Sequence, residues 1–432
     1  MSNTHPFHSR ERFGSKLGLE RITWLCAGLG NPQNTFRTIH IAGTNGKGSV
    51  AIMLANILQA TGLRVGLYSS PHLVDYGERF QINGVVIDAQ ELQAVTRRVE
   101  EVICQGEKEF PQYGPVTEFE VATAVGFLYF ANQSIDIAVI EVGLGGRLDA
   151  TNIITPVLSI ITPISFDHMD YLGNTLPDIA REKAGIIKQN VPVVSGLQAD
   201  SVWPVLEKQA KHQGSRLYPL KTDMWEPLQM TPQGGELYFP ALTTQPIAVG
   251  LVGIHQLENA ATVLVGCQVL QSMGWSIPEL AIRRGLRDVQ WPGRLEVIRD
   301  QPLVIMDGAH NVSGFQGLAN SLQALMPLGA TFTFVVGMTE NKEASLLDVL
   351  LPLAKKMIFT EASHGRIPAK DSELLKEYVI SKGIEALAIP SLEQALDELN
   401  SSEMICICGS LYLIGEIKGL ISRNGGKWLN LV

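Results

Sequence analysis

Two spacings of apolar residues alternate along the chain. Short, β-branched apolar runs at residues 38–42, 64–69, 135–142, 157–162 and 192–195 read as strands. Between them the apolar positions recur every three to four residues, the period of a helix with one buried face. This predicts helices at 14–30, with Leu19, Ile22 and Leu25 inward, and from Val50 onward, with Met53, Leu54 and Ile57 on the same face. Further helices are predicted at 89–104, 118–133, 174–188 with Pro177 in its first turn, and 201–212. Asn83-Gly84 between 78–83 and 85–87 predicts a hairpin. From 221 to 249 the pattern weakens to short alternating strands at 236–239 and 247–251. Helices at 256–273 and 278–285 follow, and then the breaker Trp291-Pro292-Gly293. Beyond it the alternation resumes, with strands at 303–306, 331–336, 357–360 and 404–408. The helices there are predicted at 312–326, 342–355, 371–381, 392–399 and 411–422.

Strands as continuously apolar as 135–142 belong to parallel sheets covered on both faces. Strands alternating with helices on both sides of the breaker predict two α/β domains with mostly parallel sheets, residues 1–293 and 294–432. A chain of 432 residues is long enough for two or three domains.

Charge and cysteines narrow the class. The net charge of −9 gives no basic surface for nucleic acid or anionic membrane, so an anionic ligand has to be held by local positive charge. Cys26, Cys104, Cys267, Cys406 and Cys408 are odd in number and follow neither zinc nor disulfide spacing, so they are expected as reduced, structural thiols. The polar N-terminus lacks a signal core, and no apolar run reaches the length of a membrane span. The expected location is cytoplasmic.

The chemistry concentrates where strands end. The run 38–42 meets Gly43-Thr44-Asn45-Gly46-Lys47-Gly48-Ser49, after which the period turns helical. Glycines let backbone N–H groups close around an anion, the helix N-terminus adds partial positive charge, Lys47 reaches β/γ phosphates, and Ser49 places a hydroxyl at the phosphate end. The motif departs from the usual P-loop: Ile41 stands where that motif has its first glycine, and Gly48 separates Lys47 from Ser49. Open parallel sheets bind ligands beyond the carboxyl ends of their strands. In this half those ends carry Lys47 and Ser49, Ser70, Glu141, and Asp167 with His168. A carboxylate closing an apolar strand, as Glu141 does, is costly unless paired or metal-bound. Beside a nucleotide loop Mg²⁺ is the natural partner, and a salt bridge to Arg147 is the plainer alternative. Ser70 reads equally as a metal ligand or a cap, and His168 as a ligand or a satisfied histidine. Lys183 reads as a solvated helical lysine.

Eight segments together resemble one family. They are GTNGKGS (43–49), YSSPHL (68–73), TEFE (117–120), EVGLGGRLDATN (141–152), SFDHMDYLG (165–173), REKAGII (181–187), PGRLE (292–296) and DGAHN (307–311). In this order the chain resembles the folylpolyglutamate synthase/dihydrofolate synthase family of Mur-type amide ligases. The resemblance covers nearly the whole chain, and EVGLGGRLDATN and REKAGII are its most specific parts.

The resemblance implies an α/β protein with a P-loop ATPase domain, a smaller Rossmann-like C-terminal domain, and a site in the cleft between them. It implies an ATP-dependent ligase that joins the amine of L-glutamate to a pterin-linked carboxylate through an acyl phosphate. On that resemblance Thr44, Asn45, Gly46, Lys47, Gly48 and Ser49 hold the ATP phosphates, while Asn259, Arg294 and Asp307 bind the nucleotide further. Ser70, Glu141 and His168 ligate Mg²⁺, with two metal sites expected. Lys183 is the lysine that such enzymes carbamylate, which turns an ammonium that repels Mg²⁺ into an oxygen ligand. His310 assists the acyl phosphate, and Thr117, Phe119 and Asn152 lie near the pterin. YSSPHL and TEFE look closer to the bifunctional members, which make dihydrofolate and extend folates; a monofunctional folylpolyglutamate synthase is the alternative. The expected partners are small molecules only, and the expected state is a monomer. A cell-wall Mur enzyme would carry a uridine-nucleotide domain ahead of the phosphate strand, where this chain has residues 1–36. A P-loop switch for a protein partner would carry a regular P-loop and a Walker-B aspartate, where this chain has Glu141.

Overall fold

The computed structural model describes Arg10, Gly14, residues 16–363, Gly365 and residues 367–423. The chain divides into two compact units. The first holds the residues up to Glu226 together with Tyr238–Ile247 and Glu258–Val289; the second holds Pro227–Leu237, Ala248–Leu257 and the chain from Gln290 on.

The first unit is built on eight strands: β1 (Arg37–Ala42), β2 (Val65–Tyr68), β3 (Phe80–Ile82), β4 (Val85–Val86), β5 (Ile137–Glu141), β6 (Leu158–Ile161), β7 (Val193–Ser195) and β8 (Leu217–Pro219). Their order is β4-β3-β2-β5-β1-β6-β7-β8. Neighbours are parallel except at the β2-β3-β4 hairpin edge. β1 sends its crossover one way, past β5 to β2, and its neighbour β6 sends its crossover the other way, to β7. The loops leaving β1 and β6 therefore diverge, and such a switch point opens a crevice at the carboxyl ends of the strands. β1, β5 and β6 are almost wholly buried, as expected of a sheet covered on both faces. The helix Lys47–Ala60 that follows β1 is buried over most of its length. Asn83 and Gly84 take φ of 50° and 74°, the left-handed pair that a tight hairpin turn needs.

Three further strands, β9 (Glu226–Thr231), β10 (Gly234–Tyr238) and β11 (Ile247–Val249), form a small sheet in the order β11-β10-β9. The second unit carries six: β12 (Glu296–Asp300), β13 (Leu303–Met306), β14 (Phe332–Val336), β15 (Ala354–Phe359), β16 (Glu385–Ala388) and β17 (Ile405–Cys408), in the order β12-β13-β17-β14-β15-β16. Only β12 runs antiparallel to its neighbour.

The structure corrects the sequence reading at several places. The helix expected at 342–355 is two short 3₁₀ segments, Ala344–Val349 and Leu351–Leu353, followed by β15. Pro352 lacks an N–H and would clash with the carbonyl four residues earlier, so an α-helix cannot run through it. The helix expected at 174–188 spans only Leu176–Lys183 and passes into a 3₁₀ turn, Ala184–Ile186. There Gly185 lies so close to the Arg147 backbone that any side chain would collide with it. Four of the cysteines are buried and Cys104 is exposed, so the expectation of five structural thiols fails at that position. Burial pushes the Cys26 and Cys267 thiols up to about 12, which makes them inert. Among the described residues no helix is long and apolar enough to cross a membrane.

Candidate active site

The loop after β1 is strapped to the loop after β6. Thr44 donates its N–H to the Pro163 carbonyl (3.1 Å) and its hydroxyl to the Ser165 carbonyl (3.0 Å), and it receives the Ser165 N–H (3.0 Å). The Thr162 hydroxyl donates to the Asn45 carbonyl at 2.7 Å. Two glycines are obligatory here. Gly43 has φ 150° and a side chain on it would collide with Thr162; Gly46 has φ 83° and a side chain on it would collide with Asn259. Gly46 caps the helix Lys47–Ala60 without any side-chain hydrogen bond. The electropositive end of that helix thus opens into the loop, the arrangement that receives anions. Lys47 curls back so that Nζ donates to the Thr44 carbonyl at 3.0 Å.

Lys183 reaches the same loop. It closes the helix Leu176–Lys183, is 5% exposed, and its Nζ donates to the Gly43 carbonyl at 2.6 Å. It is not the solvated lysine its helical setting suggests. Burial and then the charge of Lys47 lower its pKa to about 7, against the opposing pull of Asp167 and Asp149.

Glu141 ends β5, paired in register with Ile41 of β1, and is 5% exposed. Its carboxylate accepts the Ser70 N–H at 3.1 Å, which brings two of the sequence-derived positions together. Arg147 pairs with Glu182 at 2.9 Å, so it is engaged away from Glu141. His168 takes a left-handed φ of 49° and stays half exposed, with Nε2 4.0 Å from the carboxylate of Asp167, itself nearly buried. Among the described residues no three His, Cys, Asp or Glu side chains converge as a ready metal cage. Glu141 and Ser70 are the oxygen-bearing side chains here that could hold a hard cation.

Thr117 caps the helix Glu118–Asn132 through a capping box with Glu120, whose carboxylate also takes the Arg21 guanidinium at 2.9 Å. Phe119 covers Gly143 closely enough to exclude any side chain there, with its ring 6.3 Å from that of Tyr68. Asn152 donates from Nδ2 to the carbonyls of Arg147 (3.0 Å) and Gly185 (3.1 Å), while its buried Oδ1 has no partner among the described residues. It therefore ties the glycine-rich turn after β5 to the turn after Lys183.

Sequence reasoning passed over several groups that the structure gathers here. Asp149 accepts the N–H groups of Leu144 (2.8 Å) and Thr151 (3.0 Å) and is buried, which raises its pKa. Glu118 receives the Tyr76 hydroxyl at 2.8 Å and pairs with Arg79 at 3.3 Å; Arg79 in turn donates to His72 at 3.0 Å. Acidic residues inside quoted motifs were the available signal, but burial was not visible.

In the second unit, Asp307 follows β13 and is 7% exposed. Its carboxylate accepts the Leu295 N–H at 2.7 Å and the Ala309 N–H at 2.8 Å. This holds Leu295 at φ 47°, a strained value for a branched residue. The Arg294 guanidinium lies 3.4 Å from the Cβ position of Gly308, and His310 Nδ1 bonds the Gly308 carbonyl at 2.8 Å. The loop before β12, with Arg294, and the loop after β13, with Asp307 and His310, are thus bonded to each other, while Asn259 sits with Gly46 in the first unit.

Comparison with known proteins agrees along the whole chain. Residues 41–267 match the Mur ligase middle domain, and residues 295–420 match the dihydrofolate synthetase C-terminal domain. The dihydrofolate synthase/folylpolyglutamate synthase of Bacillus subtilis is 33% identical over 95% of this chain and 96% of its own. The folylpolyglutamate synthase of Lacticaseibacillus casei is 35% identical over 97% of each. The crystal structure of Mycobacterium tuberculosis folylpolyglutamate synthase complexed with ADP and AMPPCP superposes with a TM-score of 0.85 at 31% identity, over 94% of this chain and 96% of that one.

Proposed function

The chain belongs to the dihydrofolate synthase/folylpolyglutamate synthase family of Mur-type ATP-dependent ligases, and we propose that it adds L-glutamate both to dihydropteroate and to reduced folates. One observation carries the assignment of chemistry to this loop. A buried lysine of near-neutral pKa touches the first glycine of a phosphate loop whose neighbouring strand ends in a buried carboxylate. Ligase relatives along the full chain displace the P-loop switch.

In this reading the loop from Thr44 to Ser49 receives the ATP phosphates, and Lys47 swings from the Thr44 carbonyl to the β/γ phosphates. Asn259, Arg294 and Asp307 bind the rest of the nucleotide. Glu141 and Ser70 offer the hard oxygen atoms that Mg²⁺ prefers, and His168 is a weaker third ligand. Those residues would hold a Mg²⁺ ion, which would supply charge neutralisation for the phosphoryl transfer. The near-neutral amine of Lys183 adds CO₂ and releases a proton, giving an anionic carbamate oxygen next to the loop. A carboxylate oxygen of the pterin substrate then takes the γ-phosphoryl group and ADP leaves. The glutamate amine attacks the acyl carbon, the tetrahedral intermediate collapses, and inorganic phosphate leaves with the original carboxylate oxygen. Thr117, Phe119 and Asn152 orient the pterin substrate, and His310 stands by the acyl phosphate.

The acyl-phosphate step is tested with an acceptor labelled with ¹⁸O in its carboxylate. One labelled oxygen per turnover is expected in the inorganic phosphate. Phosphate free of label rejects that route.

A further inference from the structure

His40 lies on β1, wholly buried, two positions before that strand ends. Its Nε2 is 2.8 Å from the Thr151 hydroxyl, and that hydroxyl lies 2.5 Å from Asp149 Oδ1. The same carboxylate accepts the N–H groups of Thr151 and Leu144. The proton inventory fixes every direction in this chain. A carboxylate surrounded by N–H donors accepts, so the Thr151 hydroxyl donates to it. With its one proton spent, the hydroxyl accepts from His40, which must carry its hydrogen on Nε2. Nδ1 is then a bare lone pair, and it has no partner among the described residues. A buried group left with an unused acceptor is a cost that packing alone does not explain.

What the chain of bonds connects is informative. Apart from Thr151, the groups that hold Asp149 come from the short turn after β5, between Gly143 and Leu144. His40 ties that turn to the strand that ends in the phosphate loop. Gly143, in the same turn, is the surface on which Phe119 packs. Asp149 also bears on Lys183. A slack relay would therefore displace the turn behind Glu141, the Phe119 ring and the field at Lys183 together.

We propose that His40 is a positioning residue for the ligation: by donating from Nε2 to Thr151 it holds Asp149 and so sets the Gly143-Leu144 turn against Phe119 on the acceptor side. The inference rests on the ligase reading, and wild-type turnover with a pterin acceptor tests that reading separately.

Four single variants and one double variant test it, with kcat and KM measured for the reduced folate acceptor and for ATP. His40→Leu removes the donor, whereas His40→Gln can place an amide N–H where Nε2 stands. Thr151→Val removes the hydroxyl at nearly constant shape, and Thr151→Ser restores it. His40→Leu and Thr151→Val are each expected to lower kcat/KM for the acceptor about ten-fold, with KM for ATP changed less than about two-fold. The double variant should be no worse than either single one, because both break the same relay. His40→Gln and Thr151→Ser should recover to within about three-fold of wild type. The proposal is overturned if His40→Gln behaves like His40→Leu, or if acceptor kcat/KM follows melting temperature across all variants. Should His40→Leu fail to fold, Thr151→Val and Thr151→Ser decide the matter from the other end of the same bond.

Discussion

Lys183 ends its helix with Nζ 2.6 Å from the Gly43 carbonyl oxygen and with the charge of Lys47 bearing on it. CO₂ adds to the unprotonated amine, so a pKa lowered to about 7 favours the carbamate proposed for Lys183. Lys183→Ala is expected to abolish turnover, by at least about a hundred-fold, while circular dichroism and melting stay near wild type, and formate or acetate should restore part of the rate. Wild-type activity in that variant removes Lys183 from the mechanism. His40 makes a second prediction at this scale. Burial lowers its pKa from 6.5 to about 3, with the charge of Lys188 adding to the effect. Between those values the unfolded chain binds a proton that the folded chain refuses, so stability falls as pH drops through that window. Unfolding free energy from urea melts should lose about 2 kcal/mol between pH 6.5 and pH 5 through this residue. His40→Gln should show that much less acid sensitivity than wild type; equal slopes would mean that His40 is protonated in the fold.

At the scale of elements, the site is made by strands ending side by side. β2, β5, β1 and β6 are neighbours, which brings Ser70, Glu141, the phosphate loop and the Thr162–His168 loop to one edge. The backbone of that edge admits no side chain at Gly43. Gly43→Ala should therefore raise KM for ATP at least about thirty-fold, with partial recovery when Thr162→Ala makes room. No recovery would place the strain elsewhere. The capping box of the helix Glu118–Asn132 is locked by the buried Arg21–Glu120 pair, 8% and 3% exposed. Arg21→Met should cost about 3–5 kcal/mol in a denaturant melt, because it leaves Glu120 charged and unpaired in the interior. A cost below about 1 kcal/mol would show that the pair is solvated.

The long apolar strands β1, β5 and β14 and the glycine loop were legible because two-sided burial and phosphate-loop chemistry both leave continuous marks in a sequence. β12 and β16 were not, since a half-buried edge strand such as Glu296–Asp300 has no continuous apolar run. The helical period of 342–355 outweighed the single Pro352. Within the site, Lys47, Ser70 and Glu141 were found as polar residues closing strands. Asp149 and the relay from His40 were not, because each depends on which strand lies beside which, and periodicity does not encode strand order.

At the scale of the whole molecule, each unit has its own parallel sheet and its own core. The second unit takes in Pro227–Leu237 and Ala248–Leu257 before the chain reaches Pro292-Gly293, an excursion that no composition change announces. The protein carries a net charge of −9, yet its proposed substrates are anions. Attraction must come from short-range groups, namely the helix end behind Gly46, Lys47 and Arg294, and not from a global field. Each of these groups belongs to the proposed ligation, whose defining property is that ATP is spent only when an acceptor is present. ADP release measured with ATP, Mg²⁺ and L-glutamate, with dihydropteroate or a reduced monoglutamyl folate as acceptor, tests this most directly. Release that requires an acceptor and occurs with each of the two is the predicted result. Turnover with the folate alone would make the enzyme a monofunctional folylpolyglutamate synthase, and ADP release indifferent to both acceptors would contradict the account.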